Sequence, residues 1–319
     1  MIDILLAAYN GEKYIEEQIA SIEAQTCAEW NLWICDDCST DETAALAAAA
    51  ASRFNKSHPD SDRRKITVSV NKKACGGAAQ NFMHMLSLAS SDYVMFCDQD
   101  DYWKPDKVEK TLKRMKAMEK KYGAHTPLLV YTDLTVADEI LNTIAPSFIQ
   151  YMNVPPKVTL PRLLLQNSVT GCTVMMNRAL YTLVRQVKMA KGIAMHDHFA
   201  ALTASVFGKI GFLPEATILY RQHGDNTVGA ADARSLSYLW KRYRQGKKQF
   251  RKEMQGYMAQ ADCFYQLFHS RIKDPKIQKL IFDYGHLYEK NKFYRINFYI
   301  KNHVIKYGWL RAVMQMIWG

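Results

Sequence analysis

The chain lacks any long apolar run. No stretch of its 319 residues reaches the ~18–20 consecutive apolar residues that a membrane-spanning helix needs. The opening segment Ile2–Ala8 is short, contains Asp3 and has no basic flank, which excludes a secretory leader there. A cytoplasmic protein, soluble or peripheral on the inner face of a membrane, is the expectation. Cysteine is sparse and odd in number, seven in all, with no disulfide framework in its spacing, as suits a reducing compartment. Cys35-x-x-Cys38 has no second pair to complete a zinc site, so cysteine as a small hydrophobe is the expectation. No G-x-G-x-x-G follows the first apolar run, which argues against a dinucleotide-dependent dehydrogenase. The only low-complexity stretch is Ala44–Ala51, and no internal repeat is present.

The composition is that of a folded protein, 48% hydrophobic and 23% charged. The net charge of +11 is concentrated at one end: from Arg234 onward, 18 Lys and Arg face 5 Asp and Glu. Apolar runs alternate with helical periodicity up to about residue 132. Expected strands are Met1–Ala8, Trp30–Cys35, Lys65–Val70, Tyr93–Cys97 and Leu128–Thr132. Expected helices lie over 12–26, from Ser39–Glu42 to about Ser52, over 78–90, and from Lys104-Pro105-Asp106 to about Tyr122. That order predicts an α/β fold, a mostly parallel sheet flanked by helices. Beyond it, Leu160–Gln166 reads as helix, Thr170–Met176 as strand, His196–Ala204 as a helix start, and Ile210–Leu213 and Thr217–Tyr220 as short strands. From Arg234 the chain reads as all-helical, basic and aromatic.

Ligands of such sheets bind beyond the carboxyl ends of the strands. Two successive strand ends here are acidic. Asp98-Gln99-Asp100-Asp101 follows Tyr93–Cys97, and three carboxylates so close repel one another unless a hard divalent cation, Mg²⁺ or Mn²⁺, or open solvent relieves them. Asp36-Asp37 follows Trp30–Cys35. Ser39, Thr40 and Asp41 cap the next helix, which leaves Asp37 as a surplus carboxylate able to accept from a nucleobase N–H or a ribose hydroxyl.

Ala7-Ala8-Tyr9-Asn10-Gly11, Gln25-Thr26, Asp36-Asp37-x-Ser39-Thr40-Asp41 and Asp98-x-Asp100-Asp101, in that order and spacing, resemble the family 2 glycosyltransferases, inverting enzymes of the GT-A fold. Asn167–Asn177 resembles that family's acceptor-side stretch. Tyr220-Arg221-Gln222-His223-Gly224-x-Asn226 resembles the closing motif of a rhamnosyltransferase-like subgroup, and Asp98–Trp103 points the same way. The resemblance covers about residues 1–230, which implies a GT-A domain there and a C-terminal basic helical region over 231–319.

Residue by residue, the resemblance implies that Ala8 and Tyr9 contact the base and Asp37 accepts from a pyrimidine N–H. Asp98 lies near ribose and metal, Asp100 is the principal metal ligand, and His223 binds metal or diphosphate with Arg221 beside it. Asp197 is the general base. Gly171, Cys172 and His196 belong to the acceptor side, His196 standing where many members have an acid. Glu12 reads as a first-turn helix acid. The implied partners are a nucleoside-diphosphate sugar, dTDP- or UDP-linked, and a glycan or lipid-linked acceptor.

The basic aromatic tail suits an anionic membrane surface or a helical bundle with solvated lysines. No nucleic-acid motif accompanies it, and nucleic acid is not an expected partner. A nucleotidyltransferase would want a glycine-rich basic phosphate loop where Tyr9-Asn10-Gly11-Glu12 stands, and a non-catalytic sugar-nucleotide binder would not need the full set of Asp37, Asp98, Asp100, Asp197 and His223.

Overall fold

The computed structural model describes residues 1–58, 63–187, 193, 195–224 and 236–319, and for 236–243 and 245 the backbone alone. The expected boundary at 230/231 and Asn226 of the closing motif lie outside the described residues.

The first half alternates as expected: β1 (Ile2–Ala8), α1 (Ile15–Glu23), β2 (Trp30–Asp36), α2 (Thr43–Ser57), β3 (Lys65–Val70), α3 (Ala78–Leu88) and β4 (Tyr93–Asp98). Then come β5 (Tyr102–Trp103), α4 (Lys107–Tyr122), β6 (Leu128–Ala137), β7 (Thr143–Ala145), the short helices α5 (Phe148–Tyr151) and α6 (Leu160–Leu163), β8 (Met175–Asn177), α7 (Arg178–Val184), α8 (His196–Phe207) and β9 (Lys209–Arg221). The C-terminal helices are α9 (Leu236–Phe268), interrupted at Gly246 with φ 76°, α10 (Pro275–Gly285), α11 (Lys292–Lys301) and α12 (Trp309–Trp318).

One sheet runs in the order β3-β2-β1-β4-β8-β6-β9-β5, with β7 on β6. β1, β2, β3, β4, β6 and β9 share one direction, and β8, inserted between β4 and β6, opposes both neighbours. β1 is apolar on both faces because helices cover both. On one side Ile15, Ile19 and Ile22 of α1 pack with Phe54 of α2 and Leu112 and Met115 of α4. On the other, Phe82 of α3, Leu180 of α7 and Phe199 of α8 pack with Met254, Met258 and Phe264 of α9, and the layer continues into Tyr284 and Phe298. The C-terminal helices therefore share a core with the sheet.

Several boundaries shift, with α2 at Thr43–Ser57, α6 ending at Leu163 and β6 running on to Ala137, and two expected segments change in kind. The segment expected as a strand from Thr170 opens as a 3-10 turn, Gly171–Thr173, and becomes strand only at Met175. The two short strands expected over 210–220 are one, β9, whose register against β6 jumps from Thr132↔Leu213 to Asp133↔Ala216. Pro214 falls in that jump, and having no N–H it cannot continue the ladder.

Asn177 ends β8 and ties three segments. Its Oδ1 accepts from the Leu128 and Leu180 N–H groups at 2.9 and 3.1 Å, and its Nδ2 donates to the carbonyls of Ala124 and Thr126 at 3.2 and 2.9 Å. Asn177→Ala is expected to lower stability by about 3 kcal/mol, since buried groups lose their partners; the shift of a urea unfolding midpoint measures it.

Candidate active site

The register of β1 assembles the edge where the motifs meet. Ala8 pairs with Asp36 on one side and Ala7 with Asp98 on the other. The chain then turns away at Asn10, in the left-handed region at φ 49°. Gln99 clamps this turn: its Oε1 accepts from the Tyr9 N–H at 2.7 Å and its Nε2 donates to the Tyr9 carbonyl at 2.9 Å. A Cβ at position 11 would stand 2.4 Å from the Gln99 side chain, so a larger residue there would displace this clamp. Sequence reading missed Gln99, although it sits inside the acidic motif.

At the end of β2 the two carboxylates divide their work. Asp36 accepts from the Ser39 N–H at 2.9 Å and from its hydroxyl, closing a turn ahead of α2, while Asp41 Oδ1 accepts from the Thr43 N–H at the start of that helix at 3.1 Å. Asp37 is buried and donates its N–H to the Ala8 carbonyl at 2.8 Å. Its Oδ1 accepts from Asn71 Nδ2 at 2.8 Å and from the Cys75 N–H at 2.7 Å. Neither Asn71 nor Cys75 was singled out from sequence; both come from the β3–α3 connection. Tyr9 is exposed beside this edge. Glu12 lies before α1 rather than in its first turn, and its Oε2 accepts from the Glu42 N–H at the start of α2 at 3.0 Å.

The acidic motif splits in two directions. Asp98, Asp101 and Cys172 bring ligand atoms within 4.8 Å of one another. Burial first, then the neighbouring Asp100 and Asp197, push the Asp98 carboxyl up to about 7. Burial followed by Asp100 and Asp98 raises Asp101 well above the carboxylate range, and its Oδ2 has no hydrogen-bond partner. Its Oδ1 accepts from the Arg221 N–H at 3.3 Å. Cys172, expected on the acceptor side, is buried here instead; burial and the two aspartates raise its thiol far above the usual range. Beneath them the buried Lys107 ammonium stands 4.4 Å from the Trp103 ring centre, its pKa lowered to about 8 by burial against the pull of Cys172, Cys97 and Asp101.

Asp100 turns the other way, its Oδ2 2.8 Å from His223 Nε2, and His223 rests on the Tyr14 ring at 4.9 Å. The structure thus brings together two residues that the sequence singled out. Arg221, expected beside the diphosphate, has a buried guanidinium. It donates from Nε to the Asp100 carbonyl at 2.8 Å, from a second nitrogen to the Glu139 carbonyl, and from a third to Glu17 Oε2 at 2.5 Å, while lying 4.7 Å from the Tyr14 ring centre. Its role here is to hold the loop that carries Asp100.

Asp197 opens α8 and is buried. Burial raises its carboxyl to about 7, opposed by N–H donation from His198 and Gly171. His196, also expected on the acceptor side, has its ring buried, stacked on Phe82 at 4.2 Å and edge-on to Phe96 at 4.7 Å, and burial lowers its pKa to about 3. Gly171 is the floor on which it rests, since a Cβ there would lie 2.9 Å from His196 Nε2.

The donor set suits a divalent cation. Crowded carboxylates that raise one another's pKa, one with an unpartnered buried oxygen, are the setting that a hard cation relieves, and Asp100 with His223 adds an oxygen and a nitrogen ligand.

A mostly parallel sheet with helices on both faces is the arrangement of the GT-A fold, and the solved structures agree on that fold. TarS 1–349 of S. aureus in complex with UDP-GlcNAc superposes with a TM-score of 0.54 at 18% identity, over 90% of this chain and 72% of that one. The family model "Glycosyl transferase family 2" matches residues 3–133. Among curated relatives, the dTDP-rhamnosyl transferase RfbG of Shigella flexneri is 29% identical over 264 residues, 78% of this chain and 82% of that protein. The putative teichuronic acid biosynthesis glycosyltransferase TuaG of Bacillus subtilis is 29% identical over 179 residues, and this match spans 56% of the chain and 62% of TuaG. Residues 3–133 are similar to the family 2 glycosyltransferase domain, and the chain is a glycosyltransferase.

Asp197 titrates above an unfolded carboxylate, so the stability it contributes is present at low pH and lost as pH rises through about 7. Asp197→Asn is therefore expected to raise the melting temperature over wild type at pH 8 and to leave it nearly unchanged at pH 4. An equal shift at both pH values would contradict the buried titration.

Proposed function

We propose that the chain transfers a sugar, with inversion, from a dTDP- or UDP-linked donor to a hydroxyl of a glycan or lipid-linked acceptor in cell-surface polysaccharide synthesis. Rhamnose is the proposed sugar. The observation that carries this is the meeting of Asp37, Asp98, Asp100 and Asp197 at one sheet edge, with Asp197 close enough to Asp98 to raise it and itself held at about 7. The family domain and the similarity to RfbG support the donor class.

In this reading the base lies against the ends of β1 and β2, with Ala8 and Tyr9 beside it and Asp37, oriented by Asn71 and the Cys75 N–H, accepting its N–H. Asp100 and His223 would hold a divalent cation, with Asp98 nearby to orient its waters, and that cation when bound neutralises charge on the leaving diphosphate. Arg221 contributes indirectly by fixing the Asp100 backbone. Asp197 takes the proton of the acceptor hydroxyl as its oxygen attacks the anomeric carbon. A base near 7 suits this, since about half of it is ionised at neutral pH and it is basic enough to accept a proton, an effect of ~10²–10⁴ in rate. The bond from anomeric carbon to diphosphate breaks in the same displacement, which inverts that centre.

Thermal shift against dTDP, UDP and their sugars, with and without Mn²⁺ or Mg²⁺, tests the donor site. Nucleotide with metal is expected to stabilise wild type, and Asp100→Ala to lose that effect. Absence of any nucleotide shift in wild type would remove the donor reading.

No helix among the described residues is long and apolar enough to cross a membrane. Attachment to an anionic inner membrane surface is proposed for the C-terminal region. From Lys290 to Gly319 there are six Lys and Arg and no Asp or Glu. Phe293 and Trp309 are 86% and 77% exposed, and Val313 and Ile317 follow Trp309 at helical spacing on α12. Exposed aromatics among basic side chains suit an anionic interface. Sedimentation with phosphatidylglycerol vesicles, but not with phosphatidylcholine, is expected for wild type. A double Phe293→Ser, Trp309→Ser variant is expected to stay in the supernatant, and wild type staying there too would refute attachment.

A further inference from the structure

The residue after the proposed base is buried and connected on both sides. His198 Nε2 faces the carbonyl of Leu163 on α6, and His198 Nδ1 lies 2.9 Å from Nε2 of Gln260 on α9. A carbonyl only accepts, so the hydrogen sits on Nε2, and Nδ1 accepts from the Gln260 amide. One tautomer of the neutral ring satisfies both bonds. Burial favours that neutral form, lowering the His198 pKa to about 4.

Around this polar pair the contact between α8 and α9 is apolar. Phe199 packs on Phe264 and Phe268 with ring centres 5.7 and 6.3 Å apart, and Phe207 packs on the same two rings. Apolar surfaces are tolerant of sliding and rotation, whereas one buried hydrogen bond has a single satisfied register. The Asp197 carboxylate follows that register, because its Oδ1 accepts from the backbone N–H of His198 at 2.5 Å. Across from it lies Gly171, where a Cβ would be in ordinary contact with Asp197 Cβ at 3.5 Å.

We infer that the C-terminal helices are part of the catalytic apparatus, and that Gln260, acting through His198, is a positioning residue for Asp197. This rests on the reading of Asp197 as the base. Gln260 lies well outside residues 3–133 that match the family model. The titratable and charged groups around the His198 ring are Asp197 on its own helix and Tyr257 on α9, whose ring centre is 5.4 Å away, with the Lys306 ammonium 5.6 Å from the Tyr257 ring.

The test uses the full chain with Gln260→Leu, Gln260→Glu and Asp197→Asn. Release of nucleoside diphosphate from dTDP-rhamnose and UDP-glucose with Mn²⁺ is followed over pH 6.5–9. Gln260→Leu is expected to keep the nucleotide-induced thermal shift and the donor KM while kcat falls ~10–100-fold, the scale of a misplaced catalytic group. In Gln260→Glu the new carboxylate cannot donate, so the bond re-forms only when His198 binds a second proton. The ratio of its kcat to that of Gln260→Leu is therefore expected to rise as pH falls, and this ratio cancels the titration of Asp197 itself. If Gln260→Leu does not fold, the ratio of Gln260→Glu to wild type carries the same expectation. Wild-type kcat in Gln260→Leu, or a flat ratio across pH, overturns the positioning role. Full activity in Asp197→Asn overturns the base assignment instead, so the two failures are distinguishable.

Discussion

Like charges crowd the carboxyl edge of the sheet, and the surrounding structure is arranged to keep them there. Asp98, Asp101 and Asp197 are held in a setting that favours their protonated forms, with the lone Lys107 ammonium buried beneath. Burial moves these carboxyls toward the neutral range, where a solvated carboxylate would be a weak base. The cost is borne by the fold. A sheet apolar on both faces, an arginine spending its donors on Glu17, Glu139 and the Asp100 carbonyl, and a glutamine clamp across Tyr9 all hold an edge that would otherwise open.

The two faces of the sheet serve this edge differently. The face under α1, α2 and α4 supports the donor half, where β1, β2 and β4 end side by side. The opposite face supports α8 and with it Asp197, and α9, α10 and α11 extend the same apolar layer. Their aromatics form core: Phe264, Phe268, Tyr284, Phe298 and Tyr299 are all buried, while Phe293 and Trp309 point out. A basic aromatic tail thus resolves into an inner set that packs and an outer set free to meet a surface.

Much of the fold was legible in the chain because its signals are local. Ile15, Ile19 and Ile22 mark one face of α1, the run Ile2–Ala8 reads as a strand buried on both sides, and Pro105 with Asp106 marks the start of α4. Illegible elements depend on distant partners. The turn at Gly171–Thr173 is shaped by packing against His196, and the unbroken β9 owes its length to pairing with β6 across the bulge at Pro214. The candidate site was legible in the same measure. Asp37, Asp98, Asp100, Asp197 and His223 stand in motifs, whereas Asn71, Gln99 and Gln260 announce nothing by spacing and matter only through what they touch.

The sequence by itself determined which carboxylates exist, that they follow strands, and that the C-terminal third is basic and helical, since charge, periodicity and caps are properties of neighbours along the chain. Tertiary structure alone decided how they are used. It turned Asp98 and Asp101 toward Cys172 and Asp100 toward His223, took Arg221, Cys172 and His196 out of solvent, and set Gln260 against His198. The physical reason is that a side chain's charge state and direction follow from its burial and its partners. Those are fixed by strand register and helix packing between residues far apart in the chain.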